Sequence, residues 1–137
     1  MKVKVTPSKV HGNVKIPASK SMAHRALICA SLSDGTSLVS NVTNSKDIEA
    51  TVGCMKALGA IIKQIDETTY EVTGTNLFKQ EGNITCNANE SGSTLRFLIP
   101  LAACTNAKVK FLGQGRLLQR PMDVYANEFK KQNIEFN

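Results

Sequence analysis

An internal repeat is the feature that most constrains what this 137-residue chain can fold into. Residues 19–80 and 81–137 carry the same succession of helix and strand signals, and Gly59 at the end of one helix corresponds to Asn133 at the end of another. Repetition of this kind is typical of modular architectures. We therefore expect strands in residues 1–18, a first unit over 19–80, and a second unit over 81–137 that is truncated before its closing strands.

The expected fold class is α/β (α+β), built of repeated βαβαββ units whose helices are buried against sheets. Helix N-caps are predicted at Ser19, at Asn44 or Ser45, and at Ser91, because a side-chain oxygen there accepts a backbone N–H one turn later. The first helix is apolar nearly all round after its first turn, which predicts burial. The predicted strands are 3–5, 14–16, 36–42, 60–65, 69–73, 83–87, 108–112 and 134–136.

Two prolines mark the helices of the second half. Pro121 is expected in the first turn of the last helix, where its missing N–H costs little. That helix is expected to bury Met122, Tyr125 and Phe129. Pro100 falls inside the preceding helix, and it should kink that helix or shorten it.

The composition narrows the classes of function. Hydrophobic residues make up 42% of the chain and charged residues 20%, which predicts a packed core rather than disorder. Aromatic residues are only 5%, with no Trp, which opposes aromatic platforms for single-stranded nucleic acid. No apolar run is long enough to cross a membrane. The alternating start, residues 1–5, is typical of a strand rather than a signal peptide.

The four cysteines, at positions 29, 54, 86 and 104, form no close pair and have no histidine cluster beside them. Structural zinc sites need close Cys/His pairs, so we expect no metal. We interpret all four as free thiols in a reducing cytoplasm.

The charge balance points to an anionic partner. Seventeen Lys and Arg against eleven Asp and Glu give a net charge of +6. Nucleic acid, an acidic lipid surface and a phosphorylated small molecule all fit this excess, and composition does not choose among them.

Three segments place cations or glycine near a predicted helix start: residues 19–25, 89–96 and 116–121. A helix start offers free amides and the positive end of the dipole, which suits phosphate. Lys20 adds a point charge. Arg25 adds a planar guanidinium group that can donate two hydrogen bonds to the same phosphate or carboxylate. Each segment also has a plain structural interpretation, as a solvated or tightly packed helix start. The second is not a P-loop, because the Gly-Lys-Ser/Thr ending is missing.

Taken in order, three motifs resemble the 5-enolpyruvylshikimate-3-phosphate synthase family: residues 18–27 (ASKSMAHRAL), 91–96 (SGSTLR) and 120–122 (RPM). The resemblance covers essentially the whole chain. It implies the family's repeated units of the enolpyruvyl transferase type, and it implies that the N-terminal strands of residues 1–18 are part of the family's other domain. It also implies an enzyme that transfers the enolpyruvyl group of phosphoenolpyruvate to shikimate 3-phosphate, without metal or organic cofactor. The chain would be an N-terminal portion and inactive alone.

The resemblance also implies residue roles. Lys20 would contact both substrates, and Ser21 and Arg25 would bind shikimate 3-phosphate. Gly92, through its backbone, and Arg120 would bind phosphoenolpyruvate. No catalytic proton-transfer residue is expected in this portion. These small molecules would be the partners, with no membrane and no nucleic acid, in the cytoplasm.

Ser93 and Arg96 would support the phosphoenolpyruvate pocket, and Ser93 stands where the family usually has Thr. Glu90 stands where many members have Asn, and a carboxylate there should repel an anion unless it is turned away or paired. His11 and His24 have no carboxylate at readable spacing, and we interpret both as structural or solvated. Two other functions remain open: a carboxyvinyltransferase acting on a UDP-sugar, and a basic nucleic-acid-binding αβ module.

Overall fold

The computed structural model describes residues 2–137, so Met1 of the expected N-terminal strand region lies outside the described residues. Within this described range, four helices and five strands follow one another with two short 3-10 turns, at Leu77–Lys79 and Gly115–Gln119. In chain order the elements are α1 (Lys20–Leu32), β1 (Thr36–Val39), α2 (Lys46–Ala57), β2 (Ile61–Gln64), β3 (Tyr70–Thr73), β4 (Glu81–Asn87), α3 (Gly92–Ala102), β5 (Asn106–Leu112) and α4 (Asp123–Lys131).

The strands form two separate sheets. The first is antiparallel in the order β1-β3-β2, with Val39 opposite Tyr70 and Gln64 also opposite Tyr70. The second is the parallel pair β4-β5, in which Glu81 faces Asn106 and α3 makes the crossover. Both the hairpin between β2 and β3 and the βαβ unit were expected from the sequence, and the mixed fold class is confirmed.

The core lies where α1, α2 and α3 pack between the two sheets. Its fully buried apolar side chains come mainly from α1, α2, β3 and α3, and the largest are Leu27, Ile48, Met55, Leu58, Leu98, Val42 and Val72. Helix α2 buries Ile48, Thr51 and Met55 on its inner face, and Gly59 follows it with a positive φ of 99°. The left-handed backbone after α2 therefore agrees with the glycine expected there.

Helix α1 is buried on one face only, so the expectation of burial all round is wrong for this chain. Leu27 and Ile28 face the core, whereas Met22 is 61% exposed and Cys29 is exposed. The apolar outer residues of α1 have no covering element among residues 2–137.

The expected strands at 3–5 and 14–16 are also wrong, because neither segment has regular structure. Their apolar residues, Val3, Val5, Val14 and Ile16, are all more than 70% exposed. A strand needs a neighbour to satisfy its backbone groups, and no described strand pairs with these segments.

The last segment departs from expectation for the same reason, because residues 134–136 form no strand. Helix α4 begins at Asp123, so Pro121 precedes the helix instead of lying in its first turn. Of the three side chains expected to be buried there, only Phe129 is buried. Asn133 does follow the helix in the left-handed region, with φ 56°, as its match to Gly59 suggested.

Helix α3 continues two residues past Pro100, to Ala102. A proline has no N–H, so the carbonyl of Arg96 loses its usual partner four residues later. The hydroxyl of Tyr125 donates to that carbonyl at 3.0 Å. The gap that Pro100 makes in α3 is therefore filled from α4.

Candidate anion-binding site

Three serines begin the helices that surround the candidate site. The side-chain oxygens of Ser19, Ser45 and Ser91 each accept the backbone N–H three residues later, at 3.4, 3.3 and 3.2 Å. Each cap satisfies one of the four N–H groups that a helix start leaves without an intrahelical partner. The remaining amides and the positive end of each dipole favour an anion at these starts.

The starts of α1, α2 and α3 meet through Asp47. Its carboxylate Oδ2 lies 2.6 Å from Lys20 Nζ, and its backbone carbonyl accepts from Thr94 Oγ1 at 3.2 Å. The Lys20 side chain is half exposed, so the ion pair contributes at most about 1 kcal/mol to stability. Its main effect is to hold the ammonium group between the first turns of two helices.

A buried chain of hydrogen bonds lies behind these starts. His24 Nδ1 contacts Thr51 Oγ1 at 2.7 Å, Thr51 Oγ1 contacts Thr94 Oγ1 at 2.7 Å, and Thr94 Oγ1 donates to Ser91 Oγ at 2.7 Å. All four residues are buried. His24 is thus structural, as one of the two sequence interpretations had it, while His11 is exposed.

Burial lowers the pKa of His24 below its ordinary value. The positive charges of Lys20 and Arg25 act in the same direction, and the carboxylate of Asp47 opposes them. The neutral imidazole is therefore the form that this site favours.

Arg25 reaches from α1 to α3. Its Nη1 donates to the carbonyl of Ser21 at 3.0 Å, and its guanidinium carbon lies 5.2 Å from the centre of the Phe97 ring. Stacking on an aromatic face restricts the fork while leaving its charge free for a ligand. Ser21 itself is exposed beside Lys20 in the first turn of α1.

Arg120 packs directly on Gly92. A Cβ added to Gly92 would overlap Nη1 of Arg120 and would lie 3.1 Å from its Cζ. Only glycine therefore admits the guanidinium at the first residue of α3, where free amides are also available. The structure brings these two predicted residues together.

Glu90, Arg116, Leu117 and Arg120 line a cavity of about 270 Å³ beside Gly92. The Glu90 carboxylate packs against Gly115, whose φ is 55° and where a Cβ would lie 3.1 Å from Glu90 Cδ. Among residues 2–137, Glu90 has no ion-pair partner within 4.0 Å. The Glu90 carboxylate is thus unpaired and borders the same cavity as Arg116 and Arg120, so its repulsion of a bound anion stays a prediction.

The two predicted supporting residues differ in placement. Ser93 is exposed in the first turn of α3, next to Gly92. Arg96 is exposed one turn further along, and its side chain makes no hydrogen bond within the described part of the chain. Only Ser93 lies beside the residues that the site brings together.

Sequence reasoning missed the residues that organise the site. Asp47 and Thr51 on α2, and Thr94 and Phe97 on α3, bind or position residues on α1. Their partners lie 27 residues or more away along the chain, so no local spacing could have revealed the contacts. The one available signal was the acidic first turn of α2, which contains Asp47 and Glu49.

Neither a metal site nor a membrane span emerges from residues 2–137. No group of three or more His, Cys, Asp or Glu side chains is placed to hold an ion. No helix among them combines the length and the apolar character needed to cross a bilayer. The four cysteines are free.

Comparison with known proteins identifies the family of this chain. The sequence profile described as EPSP synthase (3-phosphoshikimate 1-carboxyvinyltransferase) matches residues 4–137. The chain belongs to the EPSP synthase family. The resemblance read from residues 18–27, 91–96 and 120–122 is thereby confirmed.

Individual EPSP synthase relatives agree. The chain is 49% identical to the 3-phosphoshikimate 1-carboxyvinyltransferase of Clostridium perfringens strain SM101 over 136 residues, covering 99% of this chain and 32% of the relative. It is 48% identical to the enzyme of that name from Clostridium kluyveri over 134 residues, covering 98% and 31%. The chain spans about a third of the length of these curated relatives.

The solved structures support the EPSP synthase fold. An EPSP synthase structure from Acinetobacter baumannii superposes with a TM-score of 0.78, at 19% identity, over 90% of this chain and 28% of that one. A second structure from the same organism gives a TM-score of 0.76 at 20% identity, over 88% and 27%. The α/β arrangement described above is therefore the arrangement of part of an EPSP synthase.

Proposed function

We propose that this chain supplies the N-terminal portion of a 3-phosphoshikimate 1-carboxyvinyltransferase, and with it one half of each substrate site. The observation that carries the proposal is the convergence of three capped helix starts with Lys20, Arg25 and Arg120 around them. Both substrates carry phosphate and carboxylate groups, which match amides, ammonium and guanidinium groups. The relatives carry this enzyme name and not that of a UDP-sugar enzyme, which favours this reaction.

The α1 start is assigned to shikimate 3-phosphate. Arg25 presents a restrained fork beside Ser21, and Lys20 holds a point charge between α1 and α2. The α1 dipole adds to these three groups at the same place. We propose that Lys20, Ser21 and Arg25 bind this substrate.

The α3 start is assigned to phosphoenolpyruvate. Gly92 offers its backbone N–H, Arg120 packs on that glycine, and the cavity beside them admits a small anion. Ser93 is proposed to support this pocket from the adjoining position, and Lys20 is proposed as a contact to both substrates. Arg96 is proposed as a supporting residue on the same helix.

The residues of this chain then have a limited part in the reaction of the whole enzyme. A shikimate hydroxyl adds to the enol carbon of phosphoenolpyruvate, and the tetrahedral adduct loses phosphate. The residues proposed here bind and orient charged groups for that reaction, and none of them is assigned the proton transfers. The 137-residue chain alone is proposed to bind without turnover, in the cytoplasm.

The test is an amide-resolved NMR titration of the chain with shikimate 3-phosphate. We expect shift changes clustered at residues 19–25. Arg25→Ala should weaken binding by about 10- to 100-fold, because charge-assisted hydrogen bonds contribute roughly 1.5–3 kcal/mol. Lys63→Ala is the matched control, since Lys63 is an exposed cation on β2, in the antiparallel sheet and outside the three helix starts.

A second titration with phosphoenolpyruvate should shift residues 90–94 and should weaken in Arg120→Ala. If Lys63→Ala weakens either ligand as much as Arg25→Ala or Arg120→Ala does, the binding is nonspecific attraction to a basic chain. Binding to random RNA that falls steeply with salt, in the absence of both titration effects, would favour the nucleic-acid alternative.

A further inference from the structure

The hydrogen-bonded chain behind the site runs through three helices. It begins at His24 on α1, passes Thr51 on α2, and ends at Thr94 and Ser91 at the start of α3. None of these four side chains is part of the substrate contacts proposed above. Buried polar networks of this kind are costly unless every member is satisfied, so their proton arrangement is constrained.

The hydrogen-bond geometry favours one arrangement of protons. Thr94 Oγ1 lies 2.7 Å from Ser91 Oγ and 3.2 Å from the Asp47 carbonyl, which can only accept. With the Thr94 proton directed to these acceptors, Thr94 accepts from Thr51, and Thr51 accepts from His24 Nδ1, at two contacts where either partner is able to donate. In this arrangement the imidazole carries its proton on Nδ1. Its Nε2 is a buried lone pair, with no hydrogen-bond partner in the described structure.

We propose that His24 is a positioning residue that, as the neutral Nδ1–H tautomer, holds the start of α1 to the start of α3 through Thr51 and Thr94. It thereby fixes the spacing between Arg25 and Gly92, the two halves of the proposed site. The effect on substrates rests on the proposed function, whereas the coupling between the helices does not.

The surroundings explain why the ring is neutral. The charged groups around it are Lys20 and Arg25 on its own helix and Asp47 on α2, while α3 presents the uncharged Thr94. A second ring proton, on Nε2, would lie in a buried place that offers no acceptor, next to two cations. Burial and the two cations therefore disfavour the charged ring.

The first test is a nitrogen-15 spectrum of the histidine rings of this chain, with His11→Gln used to assign the two rings. We expect His24 to show a protonated Nδ1 and an unprotonated Nε2 at neutral pH, and to keep this signature below the ordinary histidine pKa of 6.5. An Nε2–H tautomer, or a charged ring at neutral pH, would overturn the proposal.

The second test follows the connection across the helices. We expect Thr51→Val, which removes the central hydroxyl, to displace the amide resonances of both Arg25 and Gly92 and to change the ring signature of His24. Thr94→Val should do the same, while Thr94→Ser should preserve all three signals. Thr85→Val is the control, because Thr85 is an exposed threonine on β4.

The third test adds the substrates. If His24 positions both halves, Thr51→Val should weaken shikimate 3-phosphate and phosphoenolpyruvate together, each by about tenfold, the equivalent of one lost hydrogen bond. If the unaltered chain binds neither substrate, the proposed function fails, and the ring and amide signals still decide the coupling. Unchanged Gly92 resonances in Thr51→Val would refute the coupling whatever the chain binds.

Discussion

The two halves of the chain use the same local signals with different results. In the first half, α2 buries five residues and is followed by the β2–β3 hairpin. In the second half, Phe129 is the one residue of α4 that is buried, and no strand follows α4 within the described residues, 2–137. The opposite holds at the front of each half, where α3 lies between the paired strands β4 and β5 while α1 has no strand before it.

This difference separates local from non-local causes. Serine caps and left-handed stops form wherever their residues stand, because their hydrogen bonds close within one turn. Strands form only where a second segment supplies the matching backbone groups. The halves therefore agree in their helix ends and disagree in their strands, and stability should be concentrated around α2.

The largest expected effect tests that concentration. Met55→Ala on α2 should lower the free energy of unfolding by about 2–5 kcal/mol, because Met55 is fully buried in the core. Val124→Ala on α4 should change it by less than about 0.5 kcal/mol, because Val124 is 73% exposed. Urea unfolding measures both. Equal losses in the two variants would contradict the unequal anchoring of α2 and α4.

The next effect compares the two helix stops. Gly59→Ala should destabilise by roughly 1–2 kcal/mol, because φ is 99° and a Cβ would lie 2.7 Å from Gln80 Nε2. Asn133→Gly should be neutral or stabilise by a few tenths of a kcal/mol, since φ is 56° and glycine adopts it freely. Thermal unfolding of both variants checks the sign. A stabilised Gly59→Ala would show that the two stops are not equivalent backbone positions.

A smaller effect is expected where α4 contacts α3. Tyr125→Phe removes the hydroxyl that donates to the Arg96 carbonyl but keeps the ring, whose centre lies 6.3 Å from that of Phe129. We expect a loss of about 0.5–1.5 kcal/mol, the ordinary net value of a hydrogen bond. Hydrogen exchange should quicken in α4 and stay unchanged in α2. Faster exchange throughout α2 would mean that α4 is part of the same cooperative unit.

The smallest effect concerns the hairpin that only the first half has. The backbone N–H of Thr68 donates to Asp66 Oδ1 at 2.7 Å and holds the pKa of that carboxyl below its ordinary value of 3.8. A lowered folded pKa contributes stability above pH 3.8, and this contribution is lost as the pH falls through the folded value. Asp66→Asn should lack this part of the acid dependence. If the free energy of unfolding of the two proteins depends on pH in the same way, the Asp66 carboxylate does not stabilise the turn.

The helices were predictable because their signals are local. Ser19, Ser45 and Ser91 cap the helices as expected, and Gly59 and Asn133 end two of them. The strands at 3–5, 14–16 and 134–136 were not, because valine and isoleucine at alternate positions do not supply a pairing partner. Alternation describes a strand that can form, and pairing decides whether it does.

The candidate site divides in the same way. Lys20, Arg25, Gly92 and Arg120 were identified because each stands at or near a helix start, and helix starts can be read from the sequence. The groups that hold them, Asp47 beside Lys20 and Phe97 beneath Arg25, come from other helices. Only tertiary packing brings those pairs together, so the candidate residues could be named from the sequence and the residues that contact them could not.

The proline in α3 also determines where α4 attaches to α3. Along an uninterrupted helix interior every carbonyl already accepts the N–H four residues later. A tyrosine hydroxyl from a neighbouring helix then has no preferred acceptor among these carbonyls. Pro100 leaves the Arg96 carbonyl without its helical donor, and Tyr125 binds at that point. A displacement of α4 by one turn, about 5.4 Å, would separate the hydroxyl from this acceptor. The absence of one N–H group in α3 thus determines where Tyr125 binds, and with it the position of α4 along α3.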